Sequence, residues 1–381
     1  MSIPYPIIRH LDDLIPFIEN SPEITITQKG EYSSVCYNVS STGLFDCPVR
    51  RECRGLIFSN DGTLIRRPFH KFMNVGESVE TQPHSIDLSK PHKIYKKLDG
   101  SMIAPFLLDG QIHWGTKRGE TDISQLMINS VIESMETDER VSFIDWNMTM
   151  LTSGFTPIYE YLTTDPQYRV IIEHERDELV LLALRNIETG EYVDDIEELC
   201  YPGRIVESID GFDSIDELIS HTRELVNEEG FVVVFKETGF RVKIKADLYV
   251  QMHKMKELVC QDRHIIKAEL DGNLDDIKGL LPDIELNRIQ RVTDNFWTSI
   301  KEKAKELDET VNEIVALYGR KDMKKVATVY MVNVDKKDQP FLYNLIRNED
   351  KVAFDLLLDE AKKIANRSET FFQEWMKWVR K

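Results

Sequence analysis

Residues 93–102 read KIYKKLDGSM. Ile94 and Tyr95 sit among lysines in a short strand-like alternation that closes at Lys97, and Leu98-Asp99-Gly100-Ser101 then turns the chain. A lysine at a strand end facing a cleft serves as a nucleophile when neighbouring positive charge or burial holds its amine neutral. Taken alone, K-x-D-G also describes a solvated hairpin lysine, so the surrounding sequence has to decide between the two.

On both sides of this stretch the chain is rich in hairpin signals. Apolar runs turn at Asp61-Gly62, Asp109-Gly110, Thr189-Gly190 and Thr238-Gly239. Helical spacing interrupts them in ISQLMINSVIESM (123–135) and in SIDELISHTRELV (214–226), the latter opened by a capping box, Ser214-x-x-Glu217. Beyond about residue 250 the texture changes. NFWTSIKEKAKELDETVNEIVALYG (295–319) and the segment from Pro340 to Val379 carry apolar residues three and four apart with few turn signals. The expected fold class is α+β: an antiparallel-sheet domain over 1–254 and an all-helical domain over 255–381.

Bulk properties restrict the function classes. The 381 residues, 41% hydrophobic and 30% charged, allow two globular cores. Pro4, Pro6 and Arg9 break the N-terminal stretch, so no secretory leader is expected, and no apolar run is long enough for a membrane span. The five cysteines lack CxxC spacing and, with the nine scattered histidines, offer no zinc pattern; reduced thiols in a cytoplasmic, monomeric protein are expected. The net charge is −18, but residues 251–381 hold 24 basic and 24 acidic side chains, so the acid excess lies entirely in 1–250. Phosphates would therefore be held by a local basic site, not by a general electrostatic field.

Candidates for such a site recur along the first domain. Arg54 stands in ECRGLIF, Lys71 in PFHKFMN, and Lys117 follows IHWGT. Glu160 lies in the apolar strand FTPIYEYL, where an unpaired carboxylate is costly. Glu229-Gly230 opens GFVVVF, and Lys243 and Lys245 share one face of the strand RVKIK, an arrangement suited to gripping a phosphate chain.

This ordered set, K-x-D-G (97–100), the acid of FTPIYEYL, E-G-F-V-V-V-F (229–235) and K-I-K (243–245), resembles the covalent nucleotidyltransferases: DNA ligases, RNA ligases and mRNA capping enzymes. ECRGLIF, RPFHKFMN, ETGEY and KIKADLY are similar to the tRNA-repairing RNA ligases of T-even bacteriophages, as is a helical tail in place of a β-barrel domain. The resemblance implies an antiparallel nucleotidyltransferase (ATP-grasp-like ligase) fold. It also implies ATP as substrate, AMP carried covalently on Lys97, and Mg²⁺ or Mn²⁺ as cofactor. The implied partner is RNA with 5′-phosphate and 3′-hydroxyl ends, extending to cleaved tRNA.

Residue by residue, the resemblance makes Lys97 the nucleophile and places Lys243 and Lys245 on the α-phosphate and leaving group. Arg54, Lys71 and Lys117 fall at the outer phosphates, and Tyr37 and Val232 at the nucleotide. Asp99, Glu160, Glu229 and a peripheral Asp275 are the implied metal-binding acids, and Tyr249 matches a further functional tyrosine. Cations clustered around Lys97 are expected to depress its pKa. Three readings stay open beside an RNA ligase: a DNA ligase, a GTP-dependent capping guanylyltransferase, and a catalytically inactive nucleotide- or RNA-binding protein.

Overall fold

The computed structural model describes residues 5–38, 43–278, 281 and 283–381; Pro4 lies outside them. The chain forms two compact units, Met1–Val250 and Gln251–Lys381.

Twelve strands, all in the first unit, build three sheets among the described residues. In chain order they are β1 (Ile24–Lys29), β2 (Tyr32–Tyr37), β3 (Arg54–Ser59), β4 (Leu64–Arg66), β5 (His92–Lys96) and β6 (Ser101–Leu108). There follow β7 (Gln111–Gly115), β8 (Phe155–Leu162), β9 (Glu178–Asn186), β10 (Ser208–Ile209), β11 (Gly230–Phe235) and β12 (Arg241–Lys245). The sheet orders are β1-β2-β3-β4, β10-β5-β11-β12 and β7-β6-β8-β9, and every neighbouring pair is antiparallel. The α+β expectation is met.

Local chemistry explains the turns. Asp109 and Gly110 both take positive φ, 49° and 75°, between β6 and β7, and Gly239 takes 62° between β11 and β12. The helix Ile215–Arg223 starts where Ser214 accepts from the Glu217 amide, but the Glu217 carboxylate accepts from the Asp213 amide instead of closing the box on Ser214. The helix Thr137–Thr152 has no counterpart in the sequence reading; it packs Phe143 and Leu151 inward, with Phe143 in a cluster with Trp114 and Tyr159 under the third sheet.

An apolar layer joins the second and third sheets, with Tyr95 and Val234 from one and Leu162 and Val180 from the other. Charged residues also tie the unit together. The buried Arg66 donates to the carbonyls of Gly55, Ala104, Gly115 and Thr116 at 2.8–3.1 Å, linking β3 to β6 and β7. Buried Glu52 accepts from Arg185 at 2.7 Å and from Arg67 at 3.2 Å. Burial alone would raise the Glu52 carboxyl, but the two guanidinium groups outweigh it and hold the group at about 2.

In the second unit, the helix Asp283–Tyr318 turns Phe296, Ile300, Ala304, Leu307, Val311 and Ile314 toward a core completed by Leu342, Leu357, Phe372 and Met376. No described helix is long and apolar enough to cross a membrane.

Because its folded-state pKa is depressed, Glu52 contributes stability that is fully present above about pH 4.5 and is lost as pH falls through about 2. Glu52→Ala leaves two buried guanidinium groups without a counter-charge and should lower the unfolding free energy by about 3–5 kcal/mol. Urea denaturation at neutral pH measures this; a loss below about 1 kcal/mol would show that the ion pair is dispensable.

Candidate active site

The site is built on the face of β12 opposite its core. Arg241, Lys243 and Lys245 alternate with the buried Val242 and Ile244, so three cations share one side of the strand. Lys245 stands opposite Gly230, Lys243 opposite Val232 and Arg241 opposite Val234. On the other flank of β11, Val232 pairs with Tyr95, and the Lys97 amide donates to the Gly230 carbonyl at 2.8 Å.

Two glycines allow the close approach. Gly230 has φ of 137°, and a Cβ there would lie 2.0 Å from the Ile244 carbonyl oxygen. At Gly100 a Cβ would lie 2.2 Å from the Tyr161 carbonyl oxygen. With both backbones this tight, Glu229 reaches two lysines at once: its Oε2 is 2.7 Å from Lys97 Nζ and its Oε1 is 2.9 Å from Lys245 Nζ.

Asp99 anchors the turn from below. Its Oδ2 accepts from the Ile171 and Ile172 amides at 2.7 and 2.6 Å, and its Oδ1 accepts from the Tyr249 hydroxyl at 2.7 Å. Three protein donors engage this buried carboxylate, so its observed contacts are those of a loop brace, not of a free metal ligand. Tyr249 is buried, lies under Lys245 Nζ at 5.0 Å, and has its hydroxyl pKa raised by burial and by Glu229 and Asp99.

A cavity of about 290 Å³ opens above this floor. Of the sequence candidates, Tyr37, Arg54, Lys71, Lys97, Glu160, Val232, Lys243 and Lys245 line it. Glu229, Asp99 and Tyr249 are not part of that lining: Glu229 and Tyr249 lie against the lining residues Lys97 and Lys245, and Asp99 sits one layer further back, against Tyr249. Lys117 is exposed, with its amine 5.6 Å over the Tyr37 ring. Asp275 belongs to the second unit, where its exposed carboxylate meets Lys278 at 3.3 Å.

Electrostatics distinguish the groups. Burial pushes Lys243 down to about 7, helped by Lys71, Lys97 and Arg54 around it. The crowding of cations expected at Lys97 thus falls on Lys243, while the direct partner of Lys97 is an anion. Glu160 has no hydrogen-bond or ion-pair partner among the described residues. Burial lifts its carboxyl to about 8; Lys97 and Arg54 oppose the rise, and Glu229 and Asp99 add to it. Among the described residues no three acidic, histidine or cysteine side chains form a ready metal cluster. The Lys97 amine, a lone carboxylate and six further basic side chains (Arg54, Lys71, Lys96, Arg241, Lys243 and Lys245) around one cavity are suited to binding a polyphosphate and to substitution at phosphorus.

Sequence reading missed several lining residues. Arg241 carried a signal, standing two residues before Lys243 on the same alternation, and His70 directly precedes Lys71. Leu182 and Val206 look like any core aliphatic and carried none.

A family model described as RNA ligase matches residues 52–249. A Thermovibrio ammonificans protein provisionally named an RNA ligase is 26% identical over 334 residues, covering 83% of this chain and 85% of that protein. A provisionally named bifunctional polynucleotide kinase/RNA ligase of Autographa californica nuclear polyhedrosis virus is 32% identical over 257 residues, 63% of this chain but only 36% of the viral protein. Among solved structures, an archaeal ATP-dependent RNA ligase aligns over 77% of this chain and 79% of its own, with 12% identity and a TM-score of 0.46.

The raised pKa of Glu160 makes stability fall as pH rises from about 4.5 to about 8, because the folded state holds the extra proton across that window. Glu160→Gln removes the titration. The urea midpoint of the variant relative to the unsubstituted protein should therefore increase between about pH 5 and about pH 8.5. A difference that does not change with pH would place Glu160 in a solvated setting.

Proposed function

The chain belongs to the RNA ligase family, and on that premise we propose that it joins RNA ends with ATP through a covalent AMP adduct of Lys97. The observation that carries this reading is the Lys97 amine on the cavity wall, bonded to Glu229 and surrounded by Lys243, Lys245, Arg54 and Lys71.

In the first step Lys97 Nζ gives up a proton, for which Glu229 Oε2 at 2.7 Å is the acceptor in contact. The amine then attacks the α-phosphorus of ATP, forming a P–N bond as the bond to the bridging oxygen breaks and pyrophosphate leaves. Lys243 and Lys245, on one strand face, neutralise the charge that develops on the phosphoryl oxygens; Arg54 and Lys71 hold the outer phosphates. Lys243, with its amine near 7, can also donate a proton to the leaving oxygen. In the second step a 5′-phosphate oxygen of RNA displaces Lys97 and takes over the AMP. In the third, a 3′-hydroxyl attacks the activated 5′-phosphorus, forms the phosphodiester and expels AMP.

Glu160 suits a divalent cation, because it is a carboxylate in the cavity with no protein partner among the described residues. Mg²⁺ and Mn²⁺ sites of this kind take one or two carboxylates, with phosphate oxygens and water completing the shell. Such an ion supplies charge neutralisation and in-line alignment of the phosphates. Glu229, held by two lysines, acts on their amines. Asp99, braced by Tyr249, keeps the turn after Lys97 in place. The second unit is assigned the choice of RNA, extending to cleaved tRNA, since a folded RNA needs a shaped surface beyond the phosphate site.

Incubation with α-labelled ATP and a divalent cation, followed by denaturation, should leave label on the chain. Lys97→Ala should abolish it yet still seal RNA that already carries a 5′-adenylate, whereas label from GTP alone would make the protein a capping enzyme and no label a binding module. Lys243→Ala and Lys245→Ala should each lower labelling by at least about a hundredfold with little change in thermal stability. Normal labelling by either variant would return that lysine to a solvated sheet face.

A further inference from the structure

At the deep end of the cavity stands a charged group that phosphate chemistry leaves unused. Arg241 is 6% exposed, and its Nε has no hydrogen-bond partner among the described residues. Its guanidinium lies 4.0 Å from the centroid of the Tyr192 ring and 5.3 Å from that of Phe69. Two aromatic rings therefore hold the planar fork. Tyr192 is itself held, its hydroxyl 2.9 Å from His70 Nδ1. Among the described residues no side-chain hydrogen bond or ion pair satisfies Arg241, yet it lines the cavity. A buried guanidinium kept this way lacks an acceptor.

The position along β12 identifies the acceptor. Lys245, beside Lys97 on Glu229, marks the reacting phosphorus. Arg241 is four residues further along the same face, about 13 Å at a strand's rise of roughly 3.3 Å per residue, which is about the reach of a nucleoside. Its partner on β11 is Val234, buried in the apolar layer between the sheets, so this end is the closed one. Between the two ends, Val232 from β11 and Leu182 from β9 line the cavity with aliphatic surface suited to the faces of a purine. A polyphosphate has no use for such walls.

We propose that Arg241 is a nucleobase-recognition residue, donating from its fixed edge to a ring-nitrogen acceptor of the adenine in ATP. This rests on the ligase reading above. A guanidinium has donors only, so it matches N1, N3 or N7 of adenine and not the exocyclic amino group.

The test is equilibrium binding of ATP and of 1-deaza-, 3-deaza- and 7-deaza-ATP, with EDTA present so that no bond forms. The unsubstituted protein should bind one analogue at least about tenfold more weakly than ATP. In Arg241→Met that gap should close, with ATP weakened to the level of the analogue. Arg241→Lys, which keeps charge and stem on the rings but loses the fork, should narrow the same gap and serves if the methionine variant does not fold. If no analogue is penalised, or if the penalty is the same in the variants, Arg241 does not read the base. Equal weakening of ATP and all three analogues would move it to the phosphates and overturn the proposal. Failure of ATP itself to bind would instead remove the ligase reading, so the two failures are distinct.

Discussion

The first unit depends on how Arg66 is satisfied. All five of its N–H donors are used, and every acceptor is a main-chain carbonyl: Gly55 twice, Ala104, Gly115 and Thr116. Among the described residues no acid is in contact with this buried cation; oriented peptide dipoles sustain it, together with the Phe106 ring, whose centroid lies 5.6 Å from the guanidinium. The arrangement fixes β3 against the β6–β7 hairpin, and so the first sheet against the third. Arg54 begins β3, Gly100 and Met102 border the start of β6, and all three line the cavity. The spacing between the β3 and β6 walls of the cavity is thus set by one side chain that does not itself line it. Glu52, Arg67 and Arg185 do the same between the segment after β4 and the end of β9.

This frame explains which parts of the site were legible in the sequence. Lys243 and Lys245 were visible because a strand's period of two is printed in RVKIK, and the tight turns because Asp-Gly and Thr-Gly pairs mark positive φ. Arg66 and Arg67 were not: adjacent arginines after an apolar run read as surface charge, and only the fold shows that both are fully buried. The partners of Asp99 come from residues 171, 172 and 249, too distant in sequence for any local pattern to assemble. Leu182 and Val206 became cavity walls only when the second and third sheets faced each other. The helix Thr137–Thr152 escaped because its apolar residues do not form a clean stripe.

The expected neighbourhood of Lys97 also differs from the observed one for a structural reason. Reading the lysines as a cluster placed the amine among cations, but Gly230 brings β11 and β12 so close that the carboxylate one residue earlier falls between Lys97 and Lys245. The amine pushed down by burial and cations is that of Lys243, which has no ion-pair partner among the described residues and lies further along the strand beside Phe72.

Glu229 has one more consequence. Since it bonds both Lys97 and Lys245, part of the positive charge at the cavity is already compensated by the protein itself, and an arriving anion meets a weaker field than bare cations would present. Such a pocket gains less from each arrival than bare cations would, and it also gives up less when a product departs. Its hold on any bound anion is therefore moderated by construction. A group that tempers affinity in this way favours exchange over tight retention, and it does so without any moving part.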